Sequence, residues 1–194
     1  LQDRRMSMDD NDVPHFIKKG EKVTNSCLFR IECGDSCGCD PEKCRNRQVQ
    51  NGRQHPLVIF RDYRKEWTIR CVTVIPRLAF VAEYVGLVLT GSTKERAQQY
   101  DYSLGYNAPG RKEPLIISGY KAANETRFIS HSCTPLLSCD TTVIERHGIF
   151  YNHATFHTNR DTVRGEELTF DYFGGRSLGE PGLGSVKEMF PHGC

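Results

Sequence analysis

Arg127-Phe128-Ile129-Ser130-His131-Ser132-Cys133 and, further along, Gly165-Glu166-Glu167-Leu168-Thr169-Phe170-Asp171-Tyr172 are the stretches whose joint reading decides the fold. The first gathers an arginine, a histidine, hydroxyls and a thiol into seven residues. The second leaves an Arg164-Gly165 turn and runs into an alternating segment. Side chains of an extended strand repeat with period two. Leu168, Phe170 and Tyr172 are therefore expected on one face and Asp171 on the other, so that two aromatics, one of them a phenol, line a common surface.

Outward from these stretches the chain reads as mainly β. Residues 57–60, 68–74, 79–85, 115–117, 142–144, 148–151, 154–158 and 168–172 are short runs rich in β-branched and aromatic side chains, bounded by turn residues or Pro76. One short helix is expected over 92–99, with Ser92 as cap and Glu95 three residues on. Many strands at short spacing with few helices argue against a wound α/β architecture. The glycines of 179–184 follow no clear strand and open no helix, so they fail the context test for a nucleotide-binding fingerprint. His153-Ala154-Thr155-Phe156-His157 has the outer spacing of a zinc-protease helix, but Ala154 stands where the glutamate is required and the local residues favour strand. His131 beside Cys133 suggests a thiol nucleophile, but no orienting third group is evident. His15, His55, His147 and His192 read as surface residues.

The 194 residues suit one domain with a small appendage, and 38% hydrophobic residues supply a modest core. A net charge of +2 leaves no strong polyanion-binding footprint, and direct sequence-specific nucleic-acid binding is not expected. No apolar run approaches the ~20 residues of a membrane span, so no membrane partner is expected. No charged-then-apolar leader opens the chain, which begins at Leu1 and reads as a fragment.

The cysteines are informative. There are nine, an odd number, and five of them (Cys27, Cys33, Cys37, Cys39 and Cys44) fall within 27–47, a segment with almost no apolar side chains. Such a segment cannot fold by burial, so bound metal would have to supply its folding energy. Tetrahedral zinc takes thiolates from short loops of this kind; free structural thiols are the alternative. The sequon Asn124-Glu125-Thr126 is the one feature favouring a secreted, disulfide-bonded protein. A reducing nuclear or cytosolic compartment fits the thiols better.

Taken in order, Cys33-x3-Cys37-x-Cys39-x4-Cys44-Arg45-Asn46-Arg47, Glu83-Tyr84-Val85-Gly86 and the two opening stretches resemble the signature segments of SET-domain lysine methyltransferases of the branch with a cysteine-rich pre-SET segment, which modifies histone H3 tails. The resemblance covers about residues 27–173. It implies an N-terminal arm with little structure of its own (1–26), a pre-SET zinc segment (27–47), a knotted, β-clip-like SET domain (48–173) and a flexible tail (174–194). It also implies S-adenosylmethionine and zinc as cofactors. The implied substrate is a histone tail or other lysine-bearing protein, favoured as histone H3 lysine 9, in chromatin, within the nucleus and on the chromosome.

The same resemblance assigns Tyr172 as the catalytic tyrosine and Phe170 as the residue that sets how many methyl groups fit. Tyr100 is assigned a catalytic as well as a cofactor- and channel-lining role, and Trp67, Thr68, Arg127, Ser130 and His131 are assigned to contact the cofactor. Zinc falls to Cys33, Cys37, Cys39 and Cys44, with Cys27 as a further candidate. Cys133 matches a cysteine that joins a zinc loop after the domain, for which Cys194 is the available partner. Several positions depart from the family's pattern. Glu66-Trp67-Thr68 stands where a Gly-x-Gly surrounds an aromatic, and Ser130 and Leu136 each replace a usual asparagine. These departures carry a second reading, a weak or inactive SET protein that binds chromatin or a partner.

Overall fold

A computed structural model describes residues 5–8, 14–16, 29–89, 102–106 and 115–173. The described residues hold thirteen strands and two short 3-10 turns, Asp35–Cys37 and Glu125–Phe128. In chain order the strands are β1 (Arg5–Met8), β2 (Pro14–Phe16), β3 (Phe29–Ile31), β4 (Leu57–Asp62), β5 (Glu66–Cys71), β6 (Phe80–Glu83), β7 (Gly86–Leu89), β8 (Ser103–Tyr106), β9 (Leu115–Ala123), β10 (Ser130–His131), β11 (Leu137–Arg146), β12 (Ile149–Thr158) and β13 (Thr169–Phe170). The mainly β expectation holds. The helix expected over 92–99 lies outside the described residues, as do most of the arm and residues 174–194.

Two compact units are built from interleaved segments. The first comprises Leu1–Gln54, Phe80–Arg127 and Asp140–Phe156; the second comprises His55–Ala79, Phe128–Cys139 and His157–Cys194.

In the first unit β1 pairs antiparallel with β2 and β3. The arm was expected to lack structure, but its backbone here finds ladder partners. β3 in turn runs parallel to β11, with Phe29 opposite Thr141 and Ile31 opposite Val143. β12 pairs with β11 and β6, and β7, β9 and β8 form a separate antiparallel sheet. Phe29 and Val143 are buried together with Ile31 against them. Tyr84 meets the fully buried Phe156 edge-on, ring centroids 6.3 Å apart, the arrangement favoured by the aromatic quadrupole.

Gly86 ends the Glu83-Tyr84-Val85-Gly86 stretch where β7 and β9 shift register, and a Cβ there would collide with the Ser118 carbonyl. The motif therefore needs glycine for close backbone approach. The sequon is structural: Asn124 donates to the Glu83 carbonyl at 2.8 Å, and Thr126 is 1% exposed.

In the second unit β4 and β5 form a hairpin from Leu57↔Cys71 to Asp62↔Glu66. β13 lies parallel to β10 on one side and to the start of β11 on the other. Ile69, Cys71, Ile75, Ile129, Leu136, Leu137, Leu168 and Phe170 are buried here. The last predicted strand is shorter than expected. Thr169 and Phe170 are extended, whereas Tyr172 sits in the following turn. His153 and His157 lie on β12, not on a helix.

Candidate functional site

Both opening stretches belong to the second unit from Phe128 onward, and the fold joins them. Ser130 pairs with Thr169 and His131 with Phe170 in a parallel ladder, and the Ser132 amide donates to the Phe170 carbonyl at 3.1 Å. Four ring side chains gather at this junction. Phe170 and Tyr172 have ring centroids 4.7 Å apart, and His131 lies 5.3 Å from Tyr172 and 5.1 Å from Phe173. The Tyr172 hydroxyl donates to the Ile129 carbonyl at 2.7 Å, and its amide donates to His131 Nδ1 at 3.2 Å. The phenol is thus fixed by backbone while the residue stays 48% exposed, so one part of it remains open to a ligand. The His131 side chain is 4% exposed. Burial holds it below the ordinary imidazole range, although Asp171 and the Phe170 backbone pull the other way.

β5 contributes the departures. Glu66 adopts φ 62°, the left-handed region that glycine enters freely and other residues seldom do. The backbone at this position keeps a glycine-like conformation without the glycine. Trp67 is 53% exposed. Thr68 is fully buried, and its hydroxyl lies 3.0 Å from Ser130 Oγ while donating to Glu167 Oε1 at 2.9 Å. Lys65 Nζ meets both Glu167 oxygens at 2.9 Å. Two of the residues that depart from the family pattern are therefore hydrogen-bonded to each other. Leu136, another departure, is buried at 2% exposure.

Among the other predicted positions, Arg127 lies in the first unit, where its guanidinium stacks 4.0 Å from the Tyr102 ring centroid and donates to the Tyr120 carbonyl. Tyr100, Cys27 and Cys194 fall outside the described residues. Cys133 stands 3.6 Å from His131 Nε2 and is disulfide-bonded. Phe173 and Glu167 were not singled out from the sequence. The signal for Phe173 was adjacency to the Phe170-Asp171-Tyr172 run, whereas the partnership of Glu167 with Thr68 becomes visible only once the strands are paired.

The thiols expected to ligate metal lie in the first unit. Sulfurs of Cys33, Cys37 and Cys39 lie within 4.8 Å of one another, and Cys44 is near enough to Cys33 and Cys39 to influence their ionisation. A tetrahedral ion with ~2.3 Å zinc–sulfur bonds places its ligands ~3.8 Å apart, so the cluster fits one zinc with small adjustment. Donation from the Arg47 guanidinium, aided by Cys44, holds Cys39 below the ordinary thiol range. The Asn46 amide favours the Cys33 thiolate, but burial and the Cys37 thiol outweigh it, and Cys33 sits above that range. Cys44 is also raised: the Asn46 backbone bond lowers it, and the bond to Cys39 together with burial prevails.

A mostly β chain with a thiol cluster ahead of two strand-paired signature stretches is the architecture of one protein class, and residues 66–173 match the SET domain family. The chain belongs to that family. It is 37% identical over 150 residues to the histone-lysine N-methyltransferase Su(var)3-9 of Drosophila melanogaster, covering 73% of this chain and 23% of that protein. It is 30% identical over 178 residues to the H3 lysine-9 specific methyltransferase dim-5 of Neurospora crassa, covering 81% and 54%. The chain thus spans between about a quarter and about half of these relatives.

Among solved structures, the methyltransferase domain of human SETMAR superposes with a TM-score of 0.63 at 28% identity, over 87% of this chain and 60% of that one. KRYPTONITE in complex with DNA, an H3(1-15) peptide and SAH gives 0.62 at 30% identity, over 77% and 29%. Among the described residues, no helix is long and apolar enough to cross a membrane.

Proposed function

We propose that this chain carries the catalytic part of a protein-lysine N-methyltransferase that uses S-adenosylmethionine and acts on a histone tail, with histone H3 lysine 9 as the favoured target. Its place is then chromatin, in the nucleus and on the chromosome. The observation that carries the reading is the parallel pairing of Ser130-His131 with Thr169-Phe170, which gathers His131, Phe170, Tyr172 and Phe173 into one ring cluster. When bound, S-adenosylmethionine supplies an activated methyl group for in-line transfer. The chain's own residues have the remaining tasks.

A lysine amine has an ordinary pKa near ~10.4 and must enter as the neutral base. Aromatic walls desolvate it and so disfavour the ammonium, while still attracting any charged fraction by cation–π contact. The Tyr172 phenol donates its proton to Ile129, so its oxygen presents lone pairs to the lysine N–H and can aim the nitrogen. Alignment of this kind provides most of the rate in a two-reactant displacement. Trp67, Thr68, Ser130 and His131 are assigned to hold the cofactor, and Phe170 to limit the number of methyl groups.

The test is mass spectrometry of an unmodified H3 tail peptide after incubation with the chain and S-adenosylmethionine. Methylated lysine is the expected product, with more than one methyl group accepted beside Phe170. Tyr172→Phe is expected to lose ~10²–10³-fold in kcat, the scale of losing one preorganised polar group, with cofactor binding retained. Full turnover by Tyr172→Phe would remove Tyr172 from the mechanism.

A second reading, a SET protein with weak or no catalysis, is favoured by Glu66, whose carboxylate accompanies a glycine-like backbone. Calorimetry with S-adenosylmethionine separates the two. Binding by the native chain supports the enzyme, whereas binding that appears only in Glu66→Gly supports the second reading.

A further inference from the structure

Arg47 and Glu32 are buried charged residues, 6% and 7% exposed. A buried charge is costly unless matched by an opposite charge or a full set of hydrogen bonds. Glu32 has its set: Oε1 accepts from the Val49 amide at 2.6 Å, and Oε2 accepts from the Gln50 amide at 3.3 Å and from Gln50 Nε2 at 3.0 Å. Arg47 is different. One terminal nitrogen donates to Gln50 Oε1 at 2.8 Å. The other donates to the Gly34 carbonyl at 2.6 Å and reaches Cys39 Sγ at 3.8 Å. Its Nε has no partner. None of these acceptors is a carboxylate. A buried guanidinium is thus aimed at the cysteine cluster, and the only negative charge among its contacts would be thiolate sulfur.

We propose that Arg47 is the built-in counter-ion of an anionic metal–thiolate centre on Cys33, Cys37, Cys39 and Cys44, and that Glu32 and Gln50 hold it in place. The proposal rests on the metal reading of these cysteines. Where thiolates outnumber the positive charges of the divalent ions they hold, the centre carries net negative charge, which a buried site must offset. Gln50 is locked for this task, because its amide nitrogen bonds both Glu32 and the Cys33 carbonyl (2.9 Å), leaving its oxygen for Arg47. Asn46 supports the opposite side of the cluster, bonding Cys33 Sγ at 3.4 Å and the Ile31 carbonyl at 3.1 Å. Arg47 is therefore a positioning residue that acts on the metal through its ligand sulfur, a role in which partners of metal ligands tune affinity.

The experiment uses the full chain loaded with zinc and, in parallel, with cobalt(II). Zinc release to an excess of a colorimetric chelator is timed, and the sulfur-to-cobalt charge-transfer band is recorded. Arg47→Met, which keeps bulk and loses charge, is expected to release zinc about ten- to a hundredfold faster and to shift the cobalt band. Arg47→Lys is expected to recover most of the native retention, since a cation remains. Native release rates in Arg47→Met overturn the proposal, as does Arg47→Lys losing zinc as fast as Arg47→Met, which would assign the effect to the guanidinium's bonds to Gln50 and Gly34 and not to its charge. If Arg47→Met does not fold, Arg47→Lys decides alone: slow release supports the counter-ion role, and release as fast as from the urea-unfolded chain sinks it. A native chain that binds no zinc and shows no cobalt band overturns the metal centre itself, an outcome distinct from the others.

Discussion

At the scale of single residues, Glu66 and His131 carry the sharpest consequences. A non-glycine residue in the left-handed region is strained by about 1–3 kcal/mol, and glycine would relieve this at a cost in unfolded-state entropy of about 0.4–1 kcal/mol. Glu66→Gly is therefore expected to stabilise the chain by up to about 2.5 kcal/mol, read as a higher denaturant midpoint at unchanged slope. A lower midpoint would show that Glu66 makes compensating contacts.

His131 has the opposite character. Burial lowers its pKa in the folded chain, so above the unfolded value of ~6.5 both states are neutral and pH has no effect through it. As pH falls through that value the unfolded chain takes up a proton and the folded chain does not. Stability then declines until the lower folded value is reached. Urea titrations at successive pH values should show this slope in the native chain and its loss in His131→Asn. The residues singled out from the sequence at this scale converge: His131 and Ser130 pair with the Thr169-Phe170 strand, and the Tyr172 ring lies beside Phe170 and His131. The left-handed φ of Glu66 was not, because sequence alone gives no dihedral.

At the scale of elements, the turn from Arg160 to Glu166 sets up the second signature stretch. Gly165 takes φ 82°, and its amide donates to the Cys71 carbonyl while the Cys71 amide donates to the Glu166 carbonyl. Glu166 closes the turn by accepting from Arg160 and from the Val163 amide. Arg160 above all, and then the Val163 amide, hold its carboxyl below the ordinary range against the effect of burial. The stability this gives is complete above the unfolded carboxylate value and is lost as pH falls through the lower folded value. The pair is partly exposed, so its worth is under ~1 kcal/mol after screening. Glu166→Gln should show a loss of that size at neutral pH and converge with the native chain in acid.

Gly86→Ala should cost more, about 1–3 kcal/mol of overpacking, seen as a lower melting temperature; an unchanged one would mean that β7 and β9 can part without cost. Strand existence was legible from β-branched runs. Strand length was not. The runs at 148–151 and 154–158 merge into β12, and 115–117 extends to Ala123 through Ser118, Gly119, Tyr120 and Lys121. Polar residues in such strands are held by ladder partners rather than by their own propensity.

At the scale of the whole molecule, the cysteine segment is expected to depend on metal. Zinc bound per chain, counted by mass spectrometry of the elements, should be close to one if Cys33, Cys37, Cys39 and Cys44 form a self-contained site. Removal of the metal by a chelator should abolish amide-exchange protection over residues 29–52, because that segment has little apolar surface to bury. Protection that survives chelation would assign the folding energy of this segment to its hydrogen bonds, such as Cys33 N to the Asn46 carbonyl and Cys44 N to the Asp40 carbonyl.

The sequence by itself determined the class of the fold and the order of its motifs, because alternation, turn residues and thiol spacing are local properties written in neighbouring letters. It also nominated the side chains to which transfer chemistry is proposed. Only the tertiary structure decided that Thr68 and Ser130 share a hydrogen bond, that Arg127 stacks on Tyr102, and that the buried Arg47 points at the Cys39 sulfur. Those pairings join residues that are distant in the chain or separated by a turn. They depend on strand register and on where a charge can be buried, and neither is encoded in any single stretch.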